Sequence, residues 1–167
     1  GTIFGSISFS KGLHAGYAWN AIRDADLYLP YIISDSTGGD YQYENYYVAG
    51  GYSFHLNRLY YGVEGSIKGE IASRQTDPRC ANTLSYLTLR ASATLPLDSG
   101  DALSLSASYI RNKQYLHLLN WRPNQQDRFF VTYGFGYYDL QESPVSFGIR
   151  RMYYIEGVNT KLTYSNI

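Results

Sequence analysis

Hydrophobic and polar residues alternate along much of this chain with the two-residue period of β-strands. The clearest segment is 87–97, in which leucine or alanine takes every second position and residues such as Thr88 and Arg90 lie between them. One face of this strand is therefore apolar and the other is polar. Strands of globular proteins have about 5 to 6 residues, whereas a strand that crosses a bilayer needs about 9 to 11. The length of the segment favours a membrane-spanning strand.

The same alternation predicts seven strands, at residues 2–11, 41–56, 59–71, 87–97, 103–115, 129–137 and 145–164. The connections at residues 57–58, 98–101 and 141–144 are short, whereas those at residues 12–40, 74–83 and 120–127 are longer. The first long loop has room for a helical turn. An up-and-down meander would place the short turns at one rim and the long loops at the other, as outer-membrane barrels do. We predict an all-β fold, an antiparallel up-and-down transmembrane β-barrel, in which residues 1–167 form one segment without an internal domain boundary.

An odd number of strands indicates that this segment is part of a larger barrel. Bacterial single-chain barrels have an even number of strands, and an open sheet would leave unpaired backbone groups in hydrocarbon. The chain also begins with Gly1 inside a predicted strand, without an initiator methionine or a signal peptide. We therefore expect the remaining strands of the same polypeptide, rather than identical chains, to complete the barrel.

The composition fits a barrel wall and excludes other classes. Lysine and arginine total 14, as do aspartate and glutamate, so the net charge gives no reason to expect a nucleic-acid partner. The 19 tyrosines suit a membrane interface, where the ring lies in lipid and the hydroxyl at the headgroups. No uninterrupted apolar stretch is long enough for a transmembrane helix. The mean hydropathy of −0.32 is compatible with a barrel, because the side chains that face the lumen are polar.

Five segments of the chain have a distinctive sequence: residues 44–52 (ENYYVAGGY), 61–64 and 74–82, the last with the pattern Arg-x-x-Asp-Pro-Arg, together with residues 29–31 and 129–134. In these segments the chain resembles an uncharacterised family of Bacteroidota outer-membrane β-barrel proteins. The resemblance spans most of the chain. It implies an outer-membrane barrel in a Gram-negative bacterium and a polypeptide much longer than 167 residues. It implies no activity, because none is established for the family.

Four charged residues occupy polar positions of the alternation in their strands: Glu64, Lys68 and Glu70 on the third strand and Arg90 on the fourth. If this face is the lumen, they could form a selectivity zone for a passing solute. Alternatively, opposite charges on neighbouring strands could cross-link and plug a narrow interior. The balance of charge slightly favours the plug.

A second group of polar residues lies in the predicted loop at residues 74–83: Arg74, Asp77, Arg79 and Asn82. They could bind an anionic ligand outside the cell, because arginine forks and backbone donors converge there. The alternative, which we favour, is a turn whose polar groups bond to one another, in which Asp77 caps the turn that Pro78 begins.

The two tryptophans, Trp19 and Trp121, lie in the long loops, where they could stack on an extracellular sugar or peptide. Anchoring at the membrane interface explains them equally simply, and we favour it. The three histidines lack metal-ligand spacing, and we expect neither a metal, a cofactor nor an enzyme. We assign no role to Cys80, the single cysteine.

These features predict a porin-like protein that acts as a transport or accessory component of envelope nutrient uptake. One alternative is a non-conducting barrel scaffold whose extracellular loops bind a partner protein. Another is a secreted all-β carbohydrate-binding module. The expected partners are outer-membrane lipid, the remaining strands of the barrel and, for the scaffold, other outer-membrane proteins.

Overall fold

A six-stranded antiparallel sheet forms most of the structure, a computed structural model that describes residues 1–19, 21–97, 100–119, 121, 127–143 and 149–166. Its strands occur in the order β1 (Thr2–Tyr17), β3 (Gly39–Leu56), β4 (Leu59–Arg74), β5 (Arg79–Pro96), β6 (Asp101–Leu119) and β9 (Ile149–Asn166). A smaller sheet has the order β2 (Ile33–Ser34), β7 (Asp127–Gly134) and β8 (Tyr137–Ser143), and one helical turn, α1, spans Ala25–Tyr28. The prediction of an all-β antiparallel fold is confirmed.

The large sheet is a meander of strands that are 16 to 19 residues long. At one end, the chain reverses at Asn57 and Arg58 and again between Leu97 and Asp101. Asn57 has φ 55°, in the left-handed region that asparagine tolerates better than most residues. The other end carries the connections at residues 18–38, 75–78 and 120–148. We refer to the first as the turn end and to the second as the cap end.

The strand register gives the large sheet two faces of different chemistry. Residues that pair across strands share a face, so Ile7, Val48, Ile67 and Leu87 lie in one row. The neighbouring rows on this apolar face carry further apolar and aromatic side chains. The opposite, polar face carries rows of serine, threonine, tyrosine and charged residues.

At the cap end, residues 18–38 and the hairpin of β7 and β8 pack over the polar face; we call these two segments the cap. Ile22, Ile33, Phe129 and Val131 are buried in one cluster with sheet residues such as Leu116. The sheet contributes the following buried members, all of them on the polar face: Tyr41, Ala72, Cys80, Leu116, Leu118 and Tyr153. The hydrophobic core of the described chain therefore lies at the cap end alone.

The prediction of seven wall strands is wrong. Residues 129–137 alternate like a wall strand, but the chain reverses within them, because Gly134, Phe135 and Gly136 adopt φ 91°, 54° and 81°. Only glycine adopts such angles without strain, and the two glycines make the hairpin between β7 and β8 possible. The large sheet consequently has six strands among the described residues.

Other predicted boundaries also move. β1 continues to Tyr17 rather than ending near residue 11, and β5 begins at Arg79, so the loop predicted at residues 74–83 shrinks to residues 75–78. The turn predicted at residues 141–144 lies partly in β8, and its last residue is outside the described part. Residues 98–99 of the short turn and most of the loop at residues 120–127 also lie outside it. The helical turn predicted in residues 12–40 is present as α1.

The large sheet is open. β1 and β9 are its edges, and no strand of the described residues pairs with their outer sides. Because four strands separate these edges and every neighbouring pair is antiparallel, β1 and β9 run in opposite directions.

Candidate functional site

A buried ion pair joins the cap to the sheet. Arg74, at the end of β4, donates from Nη2 to Asp35 Oδ2 at 2.9 Å, and neither side chain is more than 1% exposed. Arg74 also donates from Nε and Nη2 to the backbone oxygen of Pro78, at 3.1 and 2.6 Å. Asp35 Oδ1 accepts from the backbone N–H of Thr37 at 3.0 Å. The cap segment that follows β2 is thus held to β4 by charge-assisted hydrogen bonds.

The Cys80 thiol packs against this ion pair. Its Sγ lies 3.6 Å from Pro78 O and 3.9 Å from Asp35 Oδ2. Burial raises the pKa of Cys80 from 9.0 to about 12 and raises the pKa of the neighbouring Tyr41 phenol well above its ordinary value. Both groups are therefore neutral at physiological pH, and the thiol is unsuited to act as a nucleophile.

Amides tie the cap to the next two strands. Asn82 on β5 donates from Nδ2 to the backbone oxygen of Ala21 at 3.0 Å, and Gln114 on β6 donates to Asn82 Oδ1 at 2.6 Å. Tyr41 donates to the same oxygen of Ala21 at 3.1 Å. Asn82 and Gln114 have no exposed surface. These groups position the cap on the sheet.

At the inner border of the cap, charges from the loop meet charges from the sheet. Arg23 Nε donates to Glu70 Oε1 at 2.7 Å, and Lys68 Nζ lies 3.2 Å from Glu70 Oε2. Arg23 also lies 2.8 Å from the His14 ring, between Nη2 and Nε2. Burial raises the pKa of the nearby Asp24 carboxyl. At this border, one arginine and one lysine lie among two carboxyl groups, those of Glu70 and Asp24.

Nearer the turn end, Arg90 Nη1 lies 2.9 Å from Glu64 Oε1, and both side chains are about half exposed. The four charged residues predicted to face a lumen, Glu64, Lys68, Glu70 and Arg90, thus lie on one face and form two neighbouring ion pairs. A pair exposed on both sides, as Arg90 with Glu64 is, contributes little stability. Lys68 and Arg90 remain within reach of solvent or solute.

The residues predicted at the extracellular loop separate into two groups. Arg74 and Asn82 are buried under the cap, where Asp35, Pro78 and Ala21 accept hydrogen bonds from them. Arg79 stays at the surface, pairs with Asp77 at 3.0 Å, and lies over the Trp121 ring at 4.9 Å from its centre. Arg79 and Asp77 therefore pair with each other within this connection, and both the anion site and the self-contained turn stay predictions.

Trp19 lies apart from that turn. The residue is 62% exposed, and the centre of its ring lies 5.8 Å from the centre of the Phe130 ring in the cap. The two tryptophans therefore contact different parts of the cap end, and no shared aromatic platform joins them among the contacts of the described residues.

A hollow lies on the polar face between the cap and the turn end. Its floor is a row of small residues, Ser6, Ala49, Ser66 and Thr88, which pair across four strands. Tyr47 lies on its cap side, and Phe4 and Glu64 lie on its turn side. The hollow has a volume of about 210 Å³.

The apolar face of the large sheet is exposed to an unusual degree. Ile3 and Ile7 on β1 are 81% and 82% exposed, and Val158 and Leu162 on β9 are 70% and 68% exposed. Isolated apolar residues on a surface are ordinary, but a contiguous apolar patch across several strands marks an interaction surface. The cap covers only the polar face.

Sequence reasoning missed Asp35, Arg23 and Gln114, which hold the cap. Asp35 lies 39 residues before Arg74, in a run of serine, glycine and aspartate that reads as an ordinary turn. No local pattern indicates that a turn carboxylate is buried against a strand-end arginine. The only available signal was that Arg74 occupies the polar face at the end of a strand.

The described residues contain no helix long and apolar enough to span a membrane. They also contain no cluster of three or more histidine, cysteine, aspartate or glutamate side chains that could hold a metal ion.

The chain belongs to DUF6850, a family of unknown function, which it matches over residues 1–167. This membership confirms that the chain comes from an uncharacterised family. No curated protein matches the chain, and no solved structure matches it. Its function must therefore be inferred from its own geometry.

Proposed function

We propose that the large sheet is part of the wall of an integral β-barrel in the outer membrane of a Gram-negative bacterium. In this proposal, the barrel serves envelope nutrient uptake as a transport or accessory component. The observation that carries it is the exposed apolar face, on which Ile3, Ile7, Val158 and Leu162 project away from the only core of the described chain. Lipid would cover that face, and the polar face would line the interior.

The height of the apolar face supports this proposal. On β6, the apolar-face positions between Asp101 and Arg111 carry Leu103, Leu105, Ala107 and Tyr109. Asp101 and Arg111 are ten residues apart, which corresponds to about 34 Å along a strand. At a strand tilt of about 40°, the apolar band would be about 26 Å high, close to the roughly 25 Å band of outer-membrane barrels.

The border of the band also supports a tilt. On β1, the apolar band ends on its cap side at Lys11, which shares a row with Tyr115 on β6. On β6, the apolar band ends on its cap side at Arg111, four residues nearer the turn end. An offset of about 14 Å over four strand spacings of about 4.8 Å corresponds to a border slanted by about 36° to the rows. A flat membrane surface would produce this slant if the strands tilted by about 35 to 45°.

The proposal requires partners for the open edges, because unpaired N–H and C=O groups are costly in hydrocarbon. The outer sides of β1 and β9 would pair with the remaining strands of the same barrel. The cap would then lie on the interior side, at the end that carries the two longest connections, residues 18–38 and 120–148; in outer-membrane barrels the longer loops are extracellular.

Solubility tests the membrane assignment. The protein should partition into detergent micelles or lipid vesicles and should precipitate when detergent is removed. A protein that is monodisperse in plain buffer would contradict the assignment and would favour the secreted carbohydrate-binding alternative. Conductance in a planar bilayer tests the transport role separately, and discrete channel openings are expected from a solute-conducting barrel.

One observation favours a second candidate, the non-conducting scaffold. The cap fills one end of the polar face with a buried core and a buried ion pair, Arg74 with Asp35. A cap fixed in this way would close the interior and present residues 127–143 to a partner protein. Background conductance from a correctly inserted protein would support this candidate against the transport role.

A further inference from the structure

We infer that the hollow on the polar face binds one ring of a neutral sugar. The hollow is built by three rows of the sheet. Its floor row carries only small side chains, and the rows on either side carry Tyr47 and Phe4, whose rings flank the space. Aromatic faces beside a polar floor suit a pyranose, which has apolar C–H faces and hydroxyls at its edge.

The Phe4 ring lies close to the backbone of β3 at Gly51. A Cβ added to Gly51 would lie 2.5 Å from two carbons of the Phe4 ring, so only glycine allows this ring to lie against β3. Phe4 is nevertheless 51% exposed, and it leaves an apolar surface open on the otherwise polar face.

The polar groups of the hollow can bond hydroxyls of a sugar. Ser6, Ser66 and Thr88 offer hydroxyls that both donate and accept, and Glu64 offers a carboxylate that accepts. Because Arg90 pairs with Glu64 at 2.9 Å, the charge at this wall is balanced. A balanced wall disfavours a strongly charged ligand.

The volume of the hollow suits a small ligand. About 210 Å³ is below the roughly 300 to 1,000 Å³ of sites for drug-sized molecules. A single pyranose ring is therefore a suitable occupant. The inference deepens the proposed function and rests on it in one respect: the polar face must be the side that solutes reach.

Saturation-transfer difference NMR tests the inference directly, with methyl glucoside, methyl galactoside and methyl mannoside as probes. The protein is held in a detergent without a sugar headgroup, and ring C–H signals are expected for at least one probe. Tyr47→Ala should weaken its binding about tenfold, because one stacking face is lost. Tyr46→Ala is the matched control, because Tyr46 is the adjacent tyrosine on the opposite face; it should bind as the wild type does.

Three results would overturn the inference. They are the absence of saturation transfer to all three probes, equal losses in the two tyrosine variants, and tighter binding of free glycine, a zwitterion, than of any glycoside at the Tyr47-sensitive site. The failure of the proposed function would be seen elsewhere, in the detergent requirement. The sugar test can therefore fail while the membrane assignment stands, and the reverse also holds.

Discussion

Removing the Arg74 side chain should release the cap from the sheet. In Arg74→Met, Asp35 would keep its backbone donors but would lose its only charged partner of the described chain, and Pro78 O would lose two hydrogen bonds. The two side chains are 0% and 1% exposed. Breaking a buried pair by removing one partner costs about 3 to 5 kcal/mol. Cap opening should therefore become about 100- to 4,000-fold more frequent.

Cys80 provides the assay, because its thiol is buried against this ion pair. Labelling by iodoacetamide at pH 8 requires the cap to open, so its rate reports the opening equilibrium when reclosure is fast. Arg74→Met should accelerate the labelling of Cys80 by about 100- to 4,000-fold. When Asp35→Asn is added to Arg74→Met, the labelling rate of Cys80 should fall again by at least about tenfold, because the unpaired buried charge is removed.

The matched control is Arg128→Met in β7. Arg128 pairs with Glu142 across the cap hairpin at 3.3 Å, but the two side chains are 67% and 47% exposed. Exposed pairs contribute little, so labelling of Cys80 should not change measurably. An acceleration below tenfold in Arg74→Met, or an equal acceleration in Arg128→Met, would refute the assigned role of the ion pair.

Three further predictions concern the cap and the large sheet. Because the folded pKa of Cys80 is raised from 9.0 to about 12, its contribution to stability is complete below pH 9 and is lost as the pH rises through about 12; the urea midpoint should fall less steeply above pH 9 in Cys80→Ala than in the wild type. Asn82→Ala should lower the free energy of unfolding by about 1 to 3 kcal/mol, because it leaves Gln114 buried without its acceptor, and an unchanged urea midpoint would contradict this. Ile67→Arg should cost about 2 to 4 kcal/mol of folding into lipid vesicles, whereas Ser66→Arg, one residue away on the polar face, should cost much less; equal costs would count against a lipid-facing Ile67.

The two faces of the large sheet could be predicted from the sequence, because side chains in a strand alternate strictly. Glu64 and Arg90 were placed on the polar parity of neighbouring strands, and they form an ion pair there. The hairpin at Phe135 was not predictable in the same way. Gly134 and Gly136 fall at alternate positions, so their pattern is the same in a continuous strand and in a tight reversal.

The cap was also beyond prediction from local pattern. Residues 18–38 are rich in turn formers, which indicate a loop but not what the loop packs against. Its position is set by long-range contacts, above all Asp35 with Arg74 and Ala21 with Asn82. Both contacts satisfy buried polar groups, a requirement that becomes visible only once the strands are assembled.

The central claim, that the apolar face contacts lipid, is tested most directly by nitroxide scanning along β4 in lipid vesicles. Single cysteines replace Val63, Glu64, Ser66 and Ile67 in a Cys80→Ser background, and the accessibility of each label to oxygen and to a water-soluble nickel complex is measured. Labels at 63 and 67 should be accessible to oxygen and protected from nickel, and labels at 64 and 66 should show the reverse. Equal accessibility at all four positions, or nickel access at 63 and 67, would contradict the account.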